Sequence, residues 1–140
     1  MRLKGSTSAF QEERDKDLIR AYREQLSLQK GRISLPDVLR ATVNSPSAKF
    51  WTTIERAMAV VTQMRRGQDT KVMMPLRLEM YKEIARRVDA AIEKDPNIDL
   101  ESAVIMVVEG GAPKFYLTPK SAKTIIHNIR KRWRMQKQKR

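Results

Sequence analysis

SAKFWTTIERA, residues 47–57, is matched farther along the chain by APKFYLTPKSA, residues 112–122. Both stretches place a lysine and two large aromatic residues just before a predicted helix. A shift of 65 residues aligns residues 33–66 with residues 98–131 without a gap, and most matched positions are apolar. The alignment predicts an internal duplication of one fold unit. Chance similarity between two amphipathic stretches is the alternative interpretation.

Each copy is predicted to contain three helices, because apolar residues recur at three- and four-residue spacing in three segments of each copy. The predicted helices cover residues 15–29, 35–43 and 53–66 in the first copy, and 77–94, 100–108 and 119–134 in the second. The order of the helices is that of trihelical helix-turn-helix modules. The segment between the second and third helices is longer than the turn of the simple motif.

Several predicted helices begin at residues that suit a helix start. Ser34 with Asp37, and Thr52 with Glu55, have the spacing of a capping box. Asp99 is a predicted N-cap. In the second copy of the third helix the first position is a proline, whose missing N–H would be unpaired there anyway.

The predicted fold is all-α, with two tandem, sequence-related three-helix units packed into one compact body. Its predicted parts are a flexible N-terminal segment (1–14), a first unit (15–67), a linker (68–76), a second unit (77–134) and a basic tail (135–140). Units this small lie near the lower size limit for an independent core. We therefore expect the two units to share one body.

Net charge is the most informative feature of the composition. The 140 residues include 29 Lys and Arg against 16 Asp and Glu, which gives a net charge of +13. A net charge this positive is typical of proteins that bind a polyanion. It predicts a nucleic-acid partner. Hydrophobic residues make up 41% of the chain, enough to form a core.

Other features of the composition exclude whole classes of site. Cysteine is absent, so disulfides, thiolate zinc sites and cysteine nucleophiles are excluded. The sequence shows no signal-peptide pattern and no run of about 18 apolar residues. We therefore expect a cytoplasmic protein with no membrane partner. The sequence leaves the oligomeric state open.

Candidate binding residues are the cations and rings of the repeated stretch, of each third helix and of the basic C-terminal run, residues 129–140. We expect Phe50 and Phe115 to pack in the core, whereas Trp51 and Tyr116 are open to stacking on bases. The predicted nucleic-acid-binding residues are Lys49, Trp51, Arg56, Arg65, Arg66, Lys114, Tyr116, Lys120, Lys123, His127, Arg130, Lys131, Arg132, Arg134 and Lys137.

Catalytic and metal-binding patterns are missing from the sequence. His127 is the only histidine, and no potential metal ligand stands at a useful spacing from it. Glu79 and Glu83 lie close to Arg86 and Arg87 along one predicted helix, so we expect surface ion pairs rather than an acid–base pair. No glycine-rich phosphate loop is present. We therefore predict no enzyme activity, no cofactor and no metal.

The Ala-Pro-Lys-Phe-Tyr-Leu-Thr phrase and the alanine-bearing helix after it, residues 111–126, resemble a stretch of small basic bacterial proteins associated with mobile elements or phage. The resemblance implies a DNA-associated protein. The leading hypothesis is a non-enzymatic DNA-binding protein, either a regulator or an architectural binder, that uses both third helices and the basic run. An RNA-binding protein, and a structural or assembly protein that docks an acidic partner, are the alternatives.

Overall fold

The computed structural model describes residues 4–68, 70 and 73–138. This part of the chain contains six helices: α1 (Lys4–Leu28), α2 (Leu35–Val43), α3 (Ile54–Arg65), α4 (Pro75–Lys94), α5 (Leu100–Glu109) and α6 (Pro119–Gln138). Among the described residues, extended pairing is limited to one isolated bridge. The predicted all-α class is confirmed.

The first and last helices extend beyond their predicted ends. Residues 4–14, predicted to be flexible, belong to α1, and residues 135–138 of the predicted tail continue α6. The two helices pack together, and the Arg132 guanidinium donates to the Asp15 carboxylate at 2.6 Å. Gln11 and Glu12, in the added part of α1, and Gln136, in the added part of α6, line one cleft. Residues 1–3, 139 and 140, and residues 69, 71 and 72 of the predicted linker, lie outside the described part of the chain.

Two of the predicted helix starts are confirmed. Asp99 is the N-cap of α5, where its carboxylate accepts a hydrogen bond from the Ser102 N–H at 3.4 Å. Pro119 is the first residue of α6. Next to it, the Thr118 hydroxyl accepts a hydrogen bond from the Ser121 N–H at 3.0 Å, which satisfies a backbone donor of the first turn.

The two predicted capping boxes are wrong. The Ser34 side chain makes no capping hydrogen bond, and the Asp37 carboxylate instead pairs with Arg40 one turn along α2. In α3 the N-cap is Thr53 rather than Thr52. A capping-box pattern fixes only a spacing; here Asp37 pairs with Arg40, and the Thr52 hydroxyl lies 2.8 Å from the Tyr81 hydroxyl.

Three helices, α1, α2 and α6, form one compact unit, which comprises the described parts of Met1–Ser45 and Leu117–Arg140. Each helix of this unit contacts the other two. Their buried apolar side chains recur at helical spacing and include Leu18, Tyr22, Val38, Leu39, Val43, Ala122, Ile126 and Ile129. We call this part unit 1.

The remaining helices, α3, α4 and α5, form a second compact unit within Pro46–Tyr116, called unit 2. Here too each helix contacts the other two. The core includes Phe50, Val61, Tyr81, Ile84, Val88 and Val104, all at most 1% exposed. Burial of each large apolar side chain stabilises the fold by about 1.5–3 kcal/mol.

The helices that make up each unit are not those of the predicted tandem arrangement, so that arrangement is not confirmed. The prediction grouped α1, α2 and α3 in residues 15–67 and α4, α5 and α6 in residues 77–134. In the structure α3 packs with α4 and α5, whereas α6 packs with α1 and α2. The ten residues 44–53 can span about 35 Å, so α3 is not forced back onto the two helices that precede it. Periodicity specifies which face of a helix is apolar and leaves open which neighbour covers it.

The segments that precede α3 and α6 meet inside unit 2. Ser47 and Ala112 donate their backbone N–H groups to each other's carbonyl oxygens, both at 3.0 Å. The Phe50 N–H donates to the Val108 carbonyl at 2.9 Å, and the Ser47 hydroxyl donates to the Lys49 carbonyl at 2.7 Å. These bonds fix the backbone that carries both Lys-Phe-aromatic phrases.

Candidate nucleic-acid interface

The two phenylalanines of the repeated phrase are core residues, as predicted. Phe50 is 1% exposed and Phe115 is 4% exposed. On one side of the Phe50 ring, the Arg87 guanidinium lies 5.2 Å from the ring centroid. The same guanidinium donates to the Gly111 carbonyl at 3.1 Å. These rings are therefore scaffold that holds the neighbouring side chains in place.

The aromatic residues that follow them, Trp51 and Tyr116, are half-buried. The Tyr116 ring stacks on Phe50 with a centroid distance of 6.0 Å and an interplanar angle of 22°. Lys114 Nζ lies 5.3 Å from the Tyr116 centroid, and Lys49 Nζ lies 5.9 Å from the Trp51 centroid. Each lysine covers part of its neighbouring ring. Less of either ring surface is therefore available for a base to stack on.

Tyr116 also has an unusual backbone and side-chain environment. Its φ of 56° lies in the left-handed region, which non-glycine residues seldom adopt. Burial raises the pKa of its phenol, and the negative charges of Glu83 and Glu79 raise it further. Burial and the two carboxylates thus both favour the neutral phenol.

The cleft beside Tyr116 has a volume of about 550 Å³ and carries charges of both signs. The predicted surface ion pairing is confirmed here: the Glu83 carboxylate accepts from Arg86 at 2.6 Å and from Arg87 at 2.7 Å. Lys114 Nζ is held by the Glu79 carboxylate at 2.9 Å. Three cations of the cleft are thus held in ion pairs, but Lys82 also lines it, so four cations face two carboxylates and the lining keeps a net charge of +2.

The predicted binding residues of α3 do not form a continuous basic surface. Arg56 lies in the first turn, next to the exposed acidic Glu55. Arg65 forms an ion pair with Asp89 of α4, and Arg66 is the exposed C-cap residue. The arginines thus lie at opposite ends of the helix, roughly 14 Å apart along its axis.

In α6, by contrast, the cations lie together on one face. The buried side of the helix carries Ala122, Ile126 and Ile129. Positions three and four residues apart on the exposed side carry basic residues and no acid over the whole of Pro119–Gln138. We call this surface the α6 basic face; its residues, all exposed, are Lys120, Lys123, His127, Arg130, Lys131, Arg134 and Lys137.

Most side chains of the α6 basic face form no ion pair with any described residue. The Arg130 guanidinium lies 5.3 Å from the centroid of the Tyr22 ring. Arg132, also predicted to bind nucleic acid, points to a different side of the helix and binds Asp15. Trp133 is 39% exposed, with the Arg23 guanidinium 5.5 Å from its ring centroid. Arg132 is thus structural, whereas the face beside it is open to a ligand.

The structure contains a groove between the starts of α2 and α6 that the sequence did not predict. It has a volume of about 380 Å³. Its apolar lining is Leu35, Pro36, Leu39 and Pro119, and its charged lining is Arg40, Lys120 and Lys123. We call it the basic groove. Comparing the two aligned copies position by position for changes of charge would have drawn attention to Arg40.

No protein-family model, curated protein or solved structure matches the chain. Among the described residues, no helix combines the length and the apolar character needed to cross a membrane. The same residues contain no cluster of three or more His, Asp or Glu side chains that could hold a metal ion.

Proposed function

We propose that this protein binds duplex DNA through the α6 basic face. One observation carries the proposal: seven basic residues lie on one exposed side of a single helix that contains no acidic residue. From Lys120 to Lys137 the face is about 26 Å long, which matches roughly eight phosphates along one strand of B-DNA. Contact with phosphates relieves the repulsion among the lysines and arginines of this face, and it releases counterions that were condensed on the DNA.

The shape of this surface suits a duplex. An α-helix fits the major groove of B-DNA, where arginine and lysine reach both phosphates and guanine edges. The deep, narrow major groove of duplex RNA does not admit a helix in this way. Single strands are usually bound by exposed rings, but Trp51 and Tyr116 are half-buried beneath lysines. These features favour duplex DNA over RNA or single-stranded DNA.

We also infer that the two three-helix units are related copies, as the alignment of residues 33–66 with residues 98–131 suggests. The packing supports this inference. The contacts α1–α2, α2–α6 and α1–α6 in unit 1 correspond to α4–α5, α3–α5 and α3–α4 in unit 2. In this scheme each unit contains the third helix of the other copy.

Fluorescence anisotropy tests the DNA-binding proposal, with labelled random duplex DNA, single-stranded DNA and duplex RNA titrated at several salt concentrations. The test variant is Lys131→Ala/Arg134→Ala/Lys137→Ala, on the α6 basic face. The matched control is Lys82→Ala/Lys94→Ala/Arg77→Ala, three exposed positions of α4 with the same loss of charge. Truncation is a poorer test, because residues 131–138 belong to a helix that packs on α1.

We expect duplex DNA to bind most tightly. The α6 variant should lower the slope of log K against log salt by about 3, since each phosphate contact contributes about 0.9. The α4 control should change the slope by much less. Equal losses in both variants would show that net charge alone drives binding and would overturn the assignment to α6. No binding to any of the three nucleic acids would overturn the proposal and favour an acidic protein partner.

A further inference from the structure

The two units differ in charge at one pair of corresponding surfaces. In unit 1 this surface is the basic groove, where Lys120 and Lys123 supply the positive charge and the third cation, Arg40, is paired with Asp37. With the 65-residue offset, the corresponding residues of unit 2 are Ile105, Glu55 and Met58. The groove residue Pro36 likewise corresponds to an acidic residue, Glu101. Three cations and a proline of unit 1 thus correspond to two acids and two apolar residues of unit 2.

The corresponding residues of unit 2 lie on α3 and α5, two helices that contact each other as α6 and α2 do in unit 1. Glu55 and Glu101 are exposed in the first turns of these helices, a favourable place for a carboxylate because of the helix dipole. Met58 and Ile105 are half-buried. We call Glu55, Glu101, Met58 and Ile105 the acidic face.

We propose that the basic groove of one molecule binds the acidic face of a second copy of the same chain. The argument is charge complementarity at positions that correspond in the two copies: Lys120 and Lys123 in the groove would meet Glu55 and Glu101. Apolar contact accompanies it, since Leu35 at the groove is 40% exposed and the acidic face presents Met58 and Ile105. Opposite charges around an apolar centre set the register of such an interface.

This interface joins two different surfaces, so it is heterologous. Heterologous contacts either close into rings or continue as open chains. A groove of about 380 Å³ is small, so a single contact is expected to be weak and reversible. The association does not depend on DNA, and it also uses Lys120 and Lys123 of the α6 basic face. The test is therefore carried out on the protein without nucleic acid.

Sedimentation velocity over a concentration series of the full chain, up to about 1 mM, measures the association. The charge-reversed groove variant is Lys120→Glu/Lys123→Glu, and the charge-reversed face variant is Glu55→Lys/Glu101→Lys. We expect each alone to weaken self-association by about tenfold or more. A mixture of the two variants should associate again, and so should a single chain that carries all four substitutions and keeps the original net charge.

All four substituted side chains are exposed, so the variants should fold. A lysine in the first turn of α3 or α5 opposes the helix dipole, however, so Glu55→Gln/Glu101→Gln is the second face variant. It should weaken association without introducing a cation. Circular dichroism melting confirms that each variant is folded.

Three results would overturn the proposal: a wild-type chain that stays monomeric up to about 1 mM, reversed variants that associate like the wild type, or a mixture that fails to recover. The failure of this proposal and that of the DNA-binding proposal are distinguishable. The DNA test changes Lys131, Arg134 and Lys137, whereas the association test changes only groove and face residues and contains no DNA.

Discussion

Ser47 and Ala112 donate their backbone N–H groups to each other's carbonyl oxygens at 3.0 Å, although they are far apart in the sequence. They also occupy corresponding positions in the two aligned copies, at the start of the quoted stretches. The bridge is antiparallel, so the two connecting segments meet at matching points and run in opposite directions. This pairing holds the backbone from which Lys49, Trp51, Lys114 and Tyr116 project.

The first prediction concerns the Ser47 hydroxyl, which donates to the Lys49 carbonyl at 2.7 Å and approaches the Lys114 carbonyl at 3.3 Å. Ser47 is 5% exposed, so Ser47→Ala leaves these carbonyls less well satisfied. We expect a loss of about 1 kcal/mol in the free energy of unfolding, measured in urea, and faster hydrogen exchange at the Ala112 amide. Ser27→Ala, which removes an exposed hydroxyl, is the control and should change stability by less than about 0.5 kcal/mol.

The second prediction concerns the buried phenylalanines. Phe50→Ala and Phe115→Ala should each lower stability by about 3–5 kcal/mol, because each opens a cavity in a packed core. Trp51→Ala removes a larger but half-buried ring and should cost less. Thermal melting and urea unfolding measure both effects. Weaker DNA binding by Phe50→Ala at an unchanged melting temperature would contradict the scaffold role.

The third prediction separates structural from ligand-binding cations on α6. Arg132→Met removes one of the two arginines that bind Asp15, whose side chain is only 11% exposed, and leaves Arg14 in place; it should lower stability by about 1 kcal/mol. Lys131→Met, at an adjacent exposed position, should change stability by less than about 0.5 kcal/mol but weaken DNA binding. A double-mutant cycle with Asp15→Asn should give a coupling energy of about 1 kcal/mol. A coupling near zero would show that the ion pair adds nothing.

The fourth prediction is a pH dependence at Glu83. The hydrogen bond from Arg86 is the main cause that lowers the pKa of this carboxyl from 4.5 to about 2; burial opposes it and a second hydrogen bond from Arg87 supports it. Because the folded-state pKa is the lower one, the stabilisation is present above pH 4.5 and is lost as the pH falls towards 2.

Glu83→Gln should therefore be less stable than the wild type by about 1 kcal/mol at pH 7, a modest value because the Arg86 side chain is largely exposed. Near pH 2 the two proteins should have nearly equal stability. Urea unfolding at both pH values measures the difference. The same difference at pH 7 and pH 2 would show that the carboxylate charge is not its source.

Local features of the fold could largely be predicted from the sequence. Apolar spacing gave α2 at its observed bounds, and it gave α3 and α5 to within one residue. Phe50 and Phe115 were recognised as core because large rings beside helix starts usually pack. Such features depend on residues that are close together in the chain. Periodicity and capping rules can therefore predict them.

Features that depend on distant residues could not be predicted in this way. Arg132 and Lys114 are predicted to bind nucleic acid because of their charge and their places in the basic run and the repeated phrase, but the structure pairs them with Asp15 and Glu79. An isolated sequence shows that a cation is present but not whether a folded neighbour already neutralises it. The basic groove was missed for the same reason, since Arg40 and Lys123 meet only when α2 packs on α6.

The sequence by itself determined the helical class, the bounds of α2, α3 and α5 to within one residue, and the excess of positive charge concentrated towards the C-terminus. Tertiary structure alone decided that α3 packs with α4 and α5 while α6 packs with α1 and α2. The reason is that the hydrophobic effect is non-directional: it requires each apolar face to be covered, but the choice of partner depends on chain reach and side-chain fit. The same packing left one side of α6 exposed and so decided which of the many cations are available to a ligand.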